Sequence, residues 1–210
     1  MKRRISTTHI ELPDGDALLV PRFLPESRAD AYFERLLDVV DWEQHEIRIG
    51  GKNVASPRLS AWYGDPGASY SYSGLSLEPR PWLPVLRELM TQVEEASGRL
   101  FNSVLLNLYR DGGDSMGWHS DDEPELGERP VIASISLGAT RQFRLRHKKR
   151  ADLEAVVVGL PHGSLLIMKG ETQHFWKHQL PKSKRVSEPR VNLTFRSIRT
   201  APSTSIAAGR

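Results

Sequence analysis

No cysteine occurs in the 210 residues. That excludes disulfide staples, thiolate zinc sites and cysteine nucleophiles, and it suits a reducing compartment. Any metal must therefore be held by histidine and carboxylate. Apolar runs of membrane-spanning length are also missing. The basic start Met1-Lys2-Arg3-Arg4 is not followed by the apolar stretch of a signal peptide. The expected address is the cytoplasm, with no membrane partner. A large charge imbalance is absent too: the formal net charge is +3, so attraction to nucleic acid must come from local patches. There is no internal repeat. At 39% hydrophobic the chain supports one sizeable core.

What is present divides into two halves. Pro25 to Trp42 has Tyr32, Phe33, Leu36, Leu37 and Val40 along one side, the stripe of an amphipathic helix. A second helix is predicted from Pro81 to Gly98, with Trp82, Leu86, Leu89 and Val93 at helical spacing. Between them, 53–77 mixes Ser, Gly, Pro and Tyr as short hairpins do. From Phe101 onward the pattern is all-β, with strands predicted at 104–109, 131–137, 142–145, 155–158, 164–168 and 190–198. Helices ahead of many short strands give a mainly β, α+β fold, a double-sheet jelly roll that places ligands between its sheets. The expected organisation is a single domain over 1–198, with an N-terminal extension at about 1–15 and a disordered Ala/Ser/Thr-rich tail at 199–210.

Three residue types carry the chemistry. His119-x-Asp121 followed by one more histidine is the donor set of a non-haem Fe(II) oxygenase, since two imidazoles and one carboxylate leave three coordination positions open for O2 and a co-substrate. The pair alone is a weak signal. It gains weight from Pro189 to Arg196, where alternation puts Arg190, Asn192, Thr194 and Arg196 on one strand face. Inward arginines need an anion, and a guanidinium fork suits a carboxylate, which points to 2-oxoglutarate. The competing reading is an edge strand with both arginines in solvent. His162, His174 and His178 all lie downstream of the pair; His162 falls in a turn, and spacing alone does not separate His174 from His178. Two basic runs, 144–150 and 182–185, are candidate phosphate contacts or plain solvated turns.

The stretches Asn107-Leu-Tyr109, Trp118 to Glu123, Ser136 to Arg141, His162 to Leu166 and Arg190 to Arg196 together resemble the AlkB family of nucleic-acid alkylation-damage demethylases, most closely its DNA-repair branch. The similarity runs from about Pro57 to Ile198. It implies the double-stranded β-helix barrel and selects His178 as the third ligand, because the family's motif sets that histidine ahead of an apolar-Pro step and twelve residues before the first clamp arginine. It also implies that Asn107, Tyr109, Arg190, Asn192 and Arg196 bind 2-oxoglutarate, with Arg196 nearer the iron end. On the substrate side it implies Tyr70, Tyr72 and Ser73 lining the base pocket, Asp122 facing an exocyclic amine, and Arg58 against the nucleic-acid backbone. The implied reaction is oxidative demethylation of 1-methyladenine and 3-methylcytosine in DNA, with RNA as a further substrate, using Fe(II), 2-oxoglutarate and O2 and releasing formaldehyde. A monomer is expected. The alternatives are the same chemistry on a protein or small molecule, and a jelly-roll binding module without turnover. Whether the 50–52 loop wedges into a base stack is open.

Overall fold

The computed structural model describes residues 6–49, 51–68, 70–72 and 75–199. The elements begin with β1 (Thr8–Ile10), β2 (Asp16–Val20), α1 (Glu26–Val39), β3 (Glu46–Ile49), β4 (Lys52–Ala55), β5 (Leu59–Gly64), β6 (Tyr70–Tyr72), β7 (Leu75–Leu77) and α2 (Pro84–Ser97). There follow β8 (Ser103–Tyr109), β9 (Met116–His119), β10 (Ile132–Gly138), β11 (Arg141–His147), β12 (Val156–Leu160) and β13 (Ser164–Lys169). The short α3 (Thr172–Phe175), β14 (Trp176–Leu180) and β15 (Arg190–Arg196) complete the chain.

Seven strands form a major antiparallel sheet in the order β1-β2-β13-β10-β15-β8-β5, and four form a minor sheet in the order β12-β11-β14-β9. This is a double-sheet jelly roll, mainly β with buttressing helices. One apolar core packs α1 and α2 against the outer face of the major sheet, with Leu36, Leu86, Leu89, Leu106 and Ile135 fully buried. A second core fills the space between the sheets around Leu145, Leu160, Leu166 and Trp176. Each sheet thus buries at least one face, as layered architectures require. Among the described residues, no helix is long and apolar enough to cross a membrane.

The start of the chain departs from the sequence reading. β1 falls inside the stretch expected as an extension at about 1–15, yet it pairs with β2, and β2 pairs with β13, so this segment forms one edge of the major sheet. Its signal is short: Thr8, His9 and Ile10 show no alternation long enough to announce a strand. α2 begins at Pro84 rather than Pro81, because Leu83 precedes a proline and is held extended at ψ 147°. It stops at Gly98, whose left-handed φ of 65° suits glycine. Of the tail expected to be disordered from residue 199, Arg199 is placed, its N–H donating to the Glu125 carbonyl at 2.8 Å; 200–210 lie outside the described residues.

β15 is central, between β10 and β8, and every one of its residues is buried. Val191, Leu193 and Phe195 point into the helix-side core. Arg190, Asn192, Thr194 and Arg196 line a cavity between the sheets. The edge-strand reading is therefore overturned: the polar side of the alternation faces an interior cavity, not solvent.

Candidate iron and 2-oxoglutarate site

Strand register brings the histidines together. β9 and β14 are neighbours in the minor sheet, and His119 lies directly opposite His178. Their rings stand 4.2 Å apart at 67°. Asp121 follows two residues after His119, in the loop beyond β9. The donor atoms of His119, Asp121 and His178 all lie within 4.8 Å of one another. His174 is exposed on α3, and His162 is occupied elsewhere, its Nδ1 accepting the Gly138 N–H at 2.8 Å. The choice that spacing left open is thus made by topology.

The local electrostatics suit a divalent metal. Burial opposes ionisation of Asp121, but the Arg196 guanidinium and then the two imidazoles outweigh it and hold the carboxyl at about 2. Arg196 Nη2 donates to Asp121 Oδ1 at 2.9 Å in a pair that is almost wholly buried. Burial, followed by the neighbouring His119, pushes His178 down to about 3. His119 is lowered as well, chiefly by burial. Both rings are neutral at physiological pH, as metal ligands must be. The Nδ1–H of His119 donates to the Gly117 carbonyl at 2.8 Å, which leaves Nε2 to face the cavity. Phe143 stacks on His178 at 5.2 Å.

At the far end of β15, Arg190 is 2% exposed, and its Nη2 donates to Ser136 Oγ at 2.8 Å. Its buried Nε has no hydrogen-bond partner among the described residues. Tyr109 lies opposite Arg190 in register, and Asn107 opposite Asn192. Asn192 spends its amide N–H groups on Ser134 Oγ and the Ile135 carbonyl, fastening β15 to β10.

Arg58, expected against the nucleic-acid backbone, is 6% exposed and donates from Nε to Asn107 Oδ1 at 2.7 Å, so it props an interior residue. Its place at the entry to β5, beside β8, turns it inward. Asp122 is half-exposed next to the metal-binding corner, and Lys148 Nζ pairs with its Oδ2 at 2.7 Å. The backbone of Tyr70 and Tyr72 lies in β6, paired with β7; their side chains, and Ser73 entirely, fall outside the described residues. Gly50 of the 50–52 loop does so as well, while Gly51 turns with φ 82°.

Sequence reasoning missed Gln173. This buried residue of α3 accepts the Asp121 N–H on Oε1 at 2.9 Å, and its carbonyl accepts from Lys148 at 2.8 Å. A lone glutamine, second in an unrecognised four-residue helical turn, carries no pattern. The basic run 144–150 is also largely engaged: Arg146 lies 4.4 Å over the Trp118 ring, Lys148 pairs with Asp122, and Arg150 with Asp152. Arg144 instead joins Lys182, Lys184 and Arg185 along one surface groove.

Residues 11–196 match the family described as the 2OG-Fe(II) oxygenase superfamily. The chain belongs to that superfamily. Within it the chain is an AlkB family member. It is 46% identical over 192 residues to alpha-ketoglutarate-dependent dioxygenase alkB homolog 3 of Bos taurus, covering 88% of this chain and 66% of that protein. It is 45% identical over 182 residues to DNA oxidative demethylase ALKBH2 of Mus musculus, covering 82% and 76%. The chain thus spans just under two thirds of the length of the alkB homolog 3 relatives. The solved structure of OsALKBH1 matches with a TM-score of 0.64 at 18% identity, covering 90% of this chain and all of that one, which supports the fold.

An AlkB oxygenase takes Fe(II), 2-oxoglutarate and O2. The residues present fit those groups: two neutral imidazoles and an ionised carboxylate converge for the metal, and a buried guanidinium with an unpartnered Nε waits at the opposite end of the cavity for a carboxylate.

Proposed function

We propose that this chain is an Fe(II)- and 2-oxoglutarate-dependent dioxygenase that oxidatively demethylates N-alkylated bases such as 1-methyladenine and 3-methylcytosine in DNA, with RNA as a further substrate, and so repairs alkylation damage. The observation that carries the reading is the convergence of three donor atoms within 4.8 Å at one end of a cavity whose other end is closed by Arg190. The curated relatives at about 45% identity, whose names specify dioxygenase and DNA demethylase activity, supply the substrate class.

In this reading the metal, with 2-oxoglutarate and O2, supplies the oxidising power for hydroxylating an N-methyl group, which then leaves as formaldehyde. The protein supplies placement and charge. His119, Asp121 and His178 would hold the metal on one side, leaving the other side to co-substrate and O2. Arg196 keeps Asp121 ionised, and the Gly117 carbonyl fixes the His119 tautomer. Arg190 would bind the distal carboxylate, with Tyr109, Asn107 and Asn192 shaping the floor. Phe143, Leu160 and Leu166 exclude water from the reacting region. Tyr70, Tyr72, Ser73 and Asp122 are proposed to receive the flipped base, which needs aromatic faces and a polar edge contact.

The domain is proposed to span 1–198 and to act as a cytoplasmic monomer. Anaerobic reconstitution with Fe(II), followed by O2 and 2-oxoglutarate beside an oligonucleotide bearing 1-methyladenine, tests the assignment. Formaldehyde release in step with succinate is the expected result. Succinate without any formaldehyde from methylated DNA or RNA would move the assignment to a protein or small-molecule substrate.

A further inference from the structure

Tyr109 is flanked by two buried guanidiniums. Arg190 Cζ lies 5.3 Å from the centre of its ring and Arg141 Cζ 5.7 Å. Arg141, at the start of β11, is 2% exposed. Its donors go to main-chain carbonyls: Asp111 at 3.0 Å, Asp114 at 2.9 Å and Pro181 at 2.7 Å. Those carbonyls belong to two loops, and the loops have a purpose in common. Residues 110–115 leave β8 immediately after Tyr109, and residues 181–189 enter β15 immediately before Arg190. The loops are also zipped to each other, Gly112 N–H donating to the Val186 carbonyl and Ser183 N–H to the Gly112 carbonyl, both at 2.8 Å. One side chain therefore pins both segments that deliver the far end of the co-substrate cavity.

A buried cation is costly unless paired, and here two of them share one aromatic ring. Burial lowers the pKa of Arg190 to about 10, with Arg141 adding to the effect, and burial lowers Arg141 as well. The Asp114 and Asp111 carboxylates partly offset the charge of Arg141, whereas Arg190 has no ion pair among the described residues and keeps an unpartnered Nε, an arrangement that an anion resolves. We propose that Arg141 is a positioning residue of the 2-oxoglutarate site, holding Tyr109 and Arg190 in place and adding, through the ring, a second positive charge that favours a dianionic co-substrate. The proposal rests on Arg190 being the distal-carboxylate clamp.

The test uses the full chain loaded with Mn(II), and calorimetric titration with 2-oxoglutarate and with 2-oxobutanoate, a monoanion that lacks the distal carboxylate. Arg141→Gln retains donors for the carbonyls without the charge, and Arg141→Lys retains the charge. A unit charge about 10 Å away at an effective dielectric constant near 20 changes the affinity of a charged ligand about tenfold. Arg141→Gln is expected to weaken 2-oxoglutarate by that factor and 2-oxobutanoate much less, with Mn(II) affinity unchanged. Arg141→Lys should stay close to wild type. In turnover, KM for 2-oxoglutarate rises in Arg141→Gln while kcat at saturation holds. Equal weakening of both 2-oxo acids, or an Arg141→Lys protein as weak as Arg141→Gln, would overturn the electrostatic role. Unchanged affinity in Arg141→Gln would overturn the proposal outright. Failure of the wild type to bind 2-oxoglutarate would instead remove the clamp reading on which it stands.

Discussion

Replacing Arg196 by Met isolates the pair at the centre of the site. Against the opposing effect of burial, Arg196 and then the two imidazoles hold the Asp121 carboxyl at about 2, below its ordinary value of 3.8. That difference corresponds to about 2 to 3 kcal/mol of folding stability at neutral pH. Breaking a buried pair from one side costs about 3 to 5 kcal/mol in other proteins. The two figures meet near 3 kcal/mol, and for a chain of this size that lowers Tm by about 6 to 12 °C. In the wild type the folded carboxyl is the stronger acid, so its contribution is complete above pH 3.8 and is lost as pH falls toward 2. In Arg196→Met, burial is opposed only by the two imidazoles, so the carboxyl rises well above its wild-type value. The deficit is therefore full at pH 7 and shrinks in acid as Asp121 takes up a proton. A divalent metal supplies the missing counter-charge, so Mn(II) should recover part of the loss. Thermal unfolding of metal-free and Mn(II)-loaded protein at pH 7 and pH 5 measures all three quantities. A metal-free deficit below about 1 kcal/mol, or one that Mn(II) leaves untouched, would refute the idea that Arg196 acts by balancing the charge of Asp121.

His178→Ala and Asp121→Ala should each abolish succinate formation while unfolding cooperatively, since an open catalytic site is not the main source of stability; activity retained by either, measured in the same assay, would remove it from the metal set. Gln173→Leu leaves the buried Asp121 N–H without its acceptor and lets the metal-binding corner drift, so Mn(II) affinity should fall about tenfold, in line with other residues that orient metal ligands; titration with Mn(II) at constant pH decides. If the groove lined by Arg144, Lys182, Lys184 and Arg185 docks phosphates, the quadruple Ala variant should bind single-stranded DNA more weakly and show a slope of log K against log salt shallower by about 0.7 per lost contact. An unchanged slope would leave those four as idle surface charge.

How much of this was legible beforehand varied with the length of the signal. α1 announced itself through a stripe of five apolar residues, and β15 through seven residues of strict alternation. That same alternation revealed the polar wall of the cavity, because Arg190 and Arg196 are conspicuous on an inward face. β1 and β2 were invisible for the opposite reason: they are short, and they are held by β2 pairing with β13 and β1 with β2, contacts that no local pattern encodes. His178 could be told from His174 by motif resemblance alone, since the distinction is made by β9 and β14 lying side by side. The inward hydrogen bond of Arg58 to Asn107 joins residues far apart in sequence, and no local pattern announces it. Gln173 and Arg141 act through main-chain carbonyls and N–H groups, and partners of that kind leave no trace in side-chain identity.

The placement of β15 ties co-substrate binding to folding itself. Odd-numbered positions of this strand build the hydrophobic layer under the helices, and even-numbered ones build the reaction chamber. A slip of one residue would send two guanidiniums into oil and three large apolar groups into the chamber. Misregistered chains are thus penalised on both sides at once. Within this strand, alterations of co-substrate preference must come from side-chain exchange at Arg190, Asn192, Thr194 and Arg196, with the backbone alignment left alone.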